Sequence, residues 1–253
     1  MALRRRRSAE SASEPPSFWM SFTDLMAALL FVFILAAAAL MLQLVQAREG
    51  FAAQSQEFSG QVENLRQAEN VREEMLMDVQ EELHAQGIEV IVSHNGSVIS
   101  IPSELLGFDR AAYDIDEEYE DVSLAIGTAI ADAIADGDRG KYLDTVFVEG
   151  HTDNADYEGL EGTGNWGLST FRAISLWRLW EDELPAESQL STRTGPDGQP
   201  LFSVSGYGET RPTSEDQSTE SGASANRRID IRFTIVRPDS EVLEDIEHSY
   251  EVG

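Results

Sequence analysis

Hydrophobic and polar positions change rhythm several times along the 253 residues. From Leu25 to Val45 the chain is apolar except for Gln43, a run of 21 residues. At ~1.5 Å per helical residue this is roughly 31 Å, about the thickness of a bilayer's hydrocarbon core. Polar residues then take over as far as Gln86, without proline and rich in helix formers. Among them Phe58, Val62, Leu65, Leu76, Val79 and Leu83 follow a 4-3 spacing, which Glu69 and Arg72 interrupt. The pattern predicts a helical stalk that either pairs weakly with a second copy of the chain or stands as a solvated spacer. Gly87 ends it.

From there the rhythm alternates. "IEVIVSHNGSVISIP" places two period-two stretches around Asn95-Gly96, a strong short-range hairpin signal. "EEYEDVSLAIGTAIADAIAD" and "NWGLSTFRAISLWRLWEDEL" are amphipathic helices, the second stopped by Pro185. "DTVFVEGHTDN" is a buried strand leaving into a loop, and "LFSVSGYGE" and "RRIDIRFTIV" are two further strands. The order hairpin, helix, strand, helix, strand, strand predicts an α+β sandwich, a small mixed sheet with helices on one face. The organisation expected is a basic stub (1–16), a transmembrane helix (17–46), the stalk (47–87), a folded domain (88–237) and a loose acidic tail (238–253).

Charge narrows the function. There are 46 acidic residues against 18 basic ones, a formal net charge of −28, which excludes a free nucleic-acid binder. The absence of cysteine removes disulfides, thiolate nucleophiles and cysteine-based zinc sites. His84, His94, His151 and His248 lack metal-ligand spacing, and no Ser/His/Asp or paired-carboxylate arrangement emerges. Neither an enzyme, a metal nor a cofactor is expected. Arg4 to Arg7 precede the apolar run and acidic residues dominate after it, so the N-terminus should stay cytoplasmic with the bulk outside the inner membrane. A cleaved signal peptide is the competing reading, but the run exceeds the usual ~7–15-residue signal core. An uncleaved single-pass anchor is favoured.

One residue stands out at the mouth of that anchor. Asp24 lies in the apolar frame of Trp19, Met20 and Phe22. An ionisable group inside a membrane segment costs about 2.5–3.5 kcal/mol near the helix centre and is a functional candidate by default. Alternatively it caps the helix from the interface. The string "FWMSFTDLMAALLFVFIL" resembles the transmembrane helix of ion-driven stator B subunits, the MotB family, in which the lone Asp carries the translocated ion. The resemblance implies that role for Asp24, with H+ the default ion and Na+ the alternative. A carboxylate in low dielectric can alternate between neutral and ionised forms. One charge crossing ~100 mV gains about 2.3 kcal/mol. A single helix cannot form a conduit, so the resemblance also implies a ring of a multi-helix A-type membrane subunit around two copies of this chain.

A second resemblance covers the folded domain. "VEGHTDN", "NWGLSTFRA", "SGYGETRP" and "NRRIDIRF" are similar, in order, to four motifs of the OmpA-like peptidoglycan-binding domain. In that family an Asp and an Arg grip the amino-acid end of diaminopimelate in the stem peptide. The likeness implies these roles for Asp153 and Arg172, with Asn165, Leu168 and Ser169 matching the Asn-x-x-Leu-Ser helix start and Arg227 the first of a late Arg pair. The chemistry is apt, since a zwitterion needs an anion for its ammonium and a guanidinium for its carboxylate. Arg172, Arg227 and Arg228 together should form a positive patch. Other readings stand beside these: Asp153 as a turn residue, Arg227 and Arg228 as edge-strand charges on opposite faces, and Trp177 with Trp180 as core. The loop "NADYEGLEGTG" is longer than the family pattern and either enlarges or covers the site. The modest length, plain stalk and basic stub before "PSFWMSFTDLMAA" resemble ZorB, the stator-like subunit of Zorya anti-phage defence systems, more than flagellar MotB. A passive wall tether is the rival from another class.

Overall fold

The computed structural model describes residues 18–108, 111–159 and 162–237. The basic stub and the acidic tail lie outside them. The chain divides into two compact units, Met1–Gly60 and Gln61–Gly253.

In the first unit the described residues belong to helix α1 (Phe18–Ala85), which continues into the second. Its apolar stretch has a mean hydropathy of 2.9 over an 18-residue window and is long enough to cross a membrane. Leu25, Leu30, Phe31, Val32 and Phe33 leave more than half of their surface open. An apolar surface of this extent marks a site of association with lipid or protein.

In the second unit the strands are β1 (Ile91–Val92), β2 (Val98–Pro102), β3 (Leu143–His151), β4 (Phe202–Gly206) and β5 (Arg228–Ile235). Helices α2 (Glu117–Ala135), α3 (Gly164–Glu183) and the short α4 (Glu220–Asn226) lie between them in sequence. The sheet runs β1-β2-β5-β3-β4, with β3 and β4 parallel and the other pairs antiparallel. The class is α+β, as the element order predicts. Alternation along the strands separates two faces. Ile99, Ile101, Val146, Val148, Ile229, Ile231 and Phe233 point to one side and form a single core with Ile126, Ile130 and Ile134 of α2 and Leu176 and Trp180 of α3. A register shift between Leu143 and Val146 keeps both of those residues in the core despite their odd spacing. Trp180 is fully buried and donates from Nε1 to the Ser123 carbonyl at 2.7 Å, while Trp177 stacks on Phe202 at 5.3 Å. Both tryptophans are core residues.

The stalk ends differently from the expectation. Met75, Leu76, Val79 and Leu83 of α1 are buried in this same core. Hydrogen bonds from Arg72 Nε to the Gly96 carbonyl and from Gln80 Nε2 to the Val90 carbonyl, both 3.0 Å, tie the helix to the hairpin. The second half of the 4-3 seam is therefore consumed within the domain instead of by a second copy. The compact unit begins at Gln61, not after Gly87.

Candidate functional site

The site is assembled by the way α3 docks on β3 and β4. A Cβ at Gly150 would lie 1.9 Å from the Ser169 carbonyl oxygen, and one at Gly206 would lie 2.3 Å from Thr170 Oγ1. Only glycine admits the helix this closely, and its first turns are pressed against the C-terminal ends of the two parallel strands. Ser169 Oγ donates to the Trp166 carbonyl (3.0 Å) and accepts from the Gly208 N–H (2.9 Å), and Leu168 is buried beside it. Asn165 Nδ2 donates to the Ala155 carbonyl at 3.0 Å, pinning the loop that leaves β3. Asn165, Leu168 and Ser169 thus act as scaffold in this structure.

One turn further along α3 comes Arg172, which is 1% exposed. Its Nε donates to the Ala112 carbonyl at 2.8 Å, and its guanidinium lies 5.3 Å from the Phe108 ring centroid. Burial pushes the Arg172 guanidinium down to about 10. Asp153 opposes that shift, Arg227 reinforces it, and Tyr157 opposes it. These four groups, from two loops and a helix, are therefore electrostatic neighbours. Asp153 is 5% exposed. Its Oδ1 accepts from the Ala155 N–H at 3.2 Å and its Oδ2 from Arg227 Nη1 at 2.8 Å. Arg227 also donates from Nη2 to Glu220 Oε1 at 2.5 Å. Burial works against the Arg227 charge, but the bonds to Asp153 and Glu220 hold its proton above the ordinary value. The structure brings Asp153, Arg172 and Arg227 together, and the long loop contributes Tyr157 to their rim.

Two expectations are corrected. Strand β5 is central, between β2 and β3, so Arg227 and Arg228 are not edge-strand charges. Nor does Arg228 join a positive patch. It turns to the sheet's other face, where its Nε meets both oxygens of Asp230 at 3.0 Å. Ser100 Oγ donates to Asp230 at 2.6 Å, and His151 Nε2 stands 3.1 Å from Asp230 Oδ2 without the alignment of a hydrogen bond. Burial raises Asp230, but His151, Arg228 and Ser100 more than offset this and hold its carboxyl below the usual range. Beside it Arg232 pairs with buried Glu149, which also accepts from Tyr207 at 3.0 Å. Sequence reasoning missed Glu220, because a seven-residue helix in a Ser/Glu-rich stretch carries no hydrophobic period. The capping residue Thr219, whose Oγ1 accepts from the Gly222 N–H at 3.2 Å, was the available signal.

Asp24 lies on the exposed surface of α1 in the first unit. Among the described residues no cluster of three or more His, Asp or Glu suited to a metal is present.

No family model matches the chain. Over 86 residues it is 30% identical to motility protein B of Bacillus subtilis (strain 168), a match spanning 34% of this chain and 28% of the relative. The chain therefore aligns with little more than a quarter of that relative's length. Among solved structures it is similar to a putative MotB-like protein from Desulfovibrio vulgaris (18% identity, TM-score 0.49, 68% of this chain and 98% of that one). It is also similar to the cell wall anchor of the T6SS from Pseudomonas aeruginosa (24%, 0.45, 64% and 97%). A third is the periplasmic domain of Helicobacter pylori MotB (18%, 0.44, 60% and 85%).

Proposed function

We propose that this chain is the B-type subunit of an ion-driven stator, a single-pass inner-membrane protein whose outer domain holds peptidoglycan. The observation that carries the wall-binding half is the convergence of Asp153, Arg172 and Arg227 at one end of the sheet. Arg172 and Arg227 come from segments 55 positions apart, yet both charges influence one another and Asp153. A buried guanidinium beside a carboxylate provides both halves of a clamp for a zwitterionic amino-acid end. The local match to motility protein B supports the same reading. The test is cosedimentation of the full chain, in detergent micelles, with purified sacculi. Wild type should pellet, and Asp153→Ala and Arg172→Ala should stay in the supernatant. Equal retention of all three would remove the clamp.

The motor half rests on Asp24, a carboxylate in an apolar helix and by that placement a functional candidate. In this reading Asp24 binds H+, with Na+ the alternative, at the interface with a ring of a multi-helix A-type partner around two copies of this chain. Wall attachment keeps that complex from spinning under its own torque. For the machine itself we favour Zorya-type anti-phage defence, on the plain helical stalk that follows the apolar run. The match to motility protein B favours a second reading, a flagellar stator. The gene neighbourhood separates them: a helicase or nuclease gene beside a large A-type subunit indicates defence, and flagellar genes indicate motility.

A further inference from the structure

Tyr207 and Arg211 of "SGYGETRP" and Arg228 and Asp230 of "NRRIDIRF" take no direct part in the clamp. They meet on the other face of the sheet. His151 and Arg228 form the last paired rung between β3 and β5. Asp153 comes two residues after that rung on one strand, and Arg227 one residue before it on the other. Arg228 is 7% exposed. Its Nε donates to both oxygens of Asp230 at 3.0 Å. Its Nη2 lies 3.0 Å from Asp230 Oδ2 and donates to the Arg211 carbonyl at 3.2 Å. Ser100 secures Asp230 from β2 at 2.6 Å. The Arg211 guanidinium covers the Tyr207 ring at 3.7 Å, and that ring stacks on His151 at 5.4 Å.

For stability alone this is a poor arrangement. A buried ion pair is often no better for a fold than apolar residues of similar volume. In the β3–β5 register Asp230 lies directly opposite a second buried carboxylate, Glu149, and like charges so placed repel. Arg228 Nη1, both ring nitrogens of His151 and the hydroxyls of Thr152 and Ser205 are buried without a hydrogen bond. Such departures collect where function has chosen the residues. What the pair does supply is direction. Neighbouring residues on a strand point to opposite faces. A guanidinium locked onto Asp230 therefore fixes the rotation of β5 about its axis, and with it the side from which Arg227 reaches Asp153 at 2.8 Å.

We propose that Arg228, locked by Asp230, is the positioning residue of the clamp: it touches no ligand and keeps Arg227 aligned with Asp153. This role rests on the wall-binding reading and deepens it. The second arginine of the pair is kept for the geometry of the first.

Replacing both partners at once separates positioning from folding. In the double variant Arg228→Met/Asp230→Leu neither charge is left alone, so the full chain in detergent micelles should unfold at the wild-type Tm or above it. Titrated with purified sacculi and read by cosedimentation, the same variant should bind about tenfold more weakly than wild type, the loss usual when a supporting contact of a site is removed. Arg228→Lys keeps the charge without the two-oxygen grip. Its affinity should fall between those of wild type and the double variant, at wild-type Tm. Wild-type affinity in either variant, with Asp153→Ala still failing to pellet, refutes the positioning role and leaves the clamp standing. A double variant that loses Tm and affinity together assigns the pair to the fold and likewise overturns the proposal. If wild type itself does not pellet, the clamp and its positioning residue fall together.

Discussion

The exchange Arg172→Met takes a charge out of a place where the fold holds it at a cost. Burial pushes Arg172 from its ordinary value down to about 10. At roughly 1.4 kcal/mol per pKa unit, keeping this cation charged in the folded state costs on the order of a few kcal/mol. Methionine keeps most of the stem's packing. Lost with the guanidinium is the charge-assisted bond to the Ala112 carbonyl at 2.8 Å, worth roughly 1.5–3 kcal/mol. The two are of similar size, so the variant should be about as stable as wild type, whereas breaking a buried pair that serves structure alone ordinarily costs about 3–5 kcal/mol. The sign with pH follows from the folded value lying below the unfolded one. The cost of the charge is fully present below pH ~10 and is relieved as pH rises from there toward the ordinary arginine value. The difference between variant and wild type should thus be constant near neutrality and move in favour of wild type above pH ~10. Urea unfolding of the full chain in micelles, followed by tryptophan fluorescence, measures it, because Trp177 and Trp180 report the core. The same protein should no longer pellet with sacculi. A loss of more than ~2 kcal/mol, or undiminished wall retention, would show that Arg172 serves the fold and not a ligand.

Two further outcomes concern stability. Gly127→Ala places a methyl 2.6 Å from Trp180 Nε1 and 2.7 Å from its Cδ1, so overpacking should cost about 1–3 kcal/mol in urea unfolding; an unchanged midpoint would mean the α2–α3 contact is looser than described. Asp230→Asn leaves buried Arg228 without its two-oxygen partner and should cost about 3 kcal/mol or more at neutral pH. Because the folded Asp230 value lies below the ordinary one, its contribution is present above the ordinary carboxylate range and vanishes as pH falls through the folded value. Wild-type and Asn-variant stabilities should therefore converge in acid, and a gap independent of pH would contradict the assignment.

Much of the fold was legible because its signals are local. Asn95-Gly96 marked a hairpin that forms with Ile91 opposite Ser100, and the apolar periods of α2 and α3 matched helices close to their observed ends. What stayed hidden depends on partners far away in sequence. Nothing within "RRIDIRF" says that β5 lies between β2 and β3, and this placement is what sends Arg227 to Asp153 and Arg228 to Asp230. The 4-3 seam of the stalk looked the same whether its partner was a second helix or the domain's own core, and Leu76, Val79 and Leu83 chose the core. Glu220 was hidden for another reason: it meets Arg227 at the far end of the short helix α4, whose Ser/Glu-rich sequence carries no hydrophobic period.

The central claim is that Asp24 carries the ion on which the machine runs. The decisive measurement is proton flux into liposomes holding the chain with its co-purified A-type membrane partner, under an imposed membrane potential. Wild type should conduct, Asp24→Glu should conduct partially, and Asp24→Asn should assemble with the partner yet carry no current above empty vesicles. Flux in Asp24→Asn equal to wild type would contradict the account and leave the chain a passive anchor between membrane and wall.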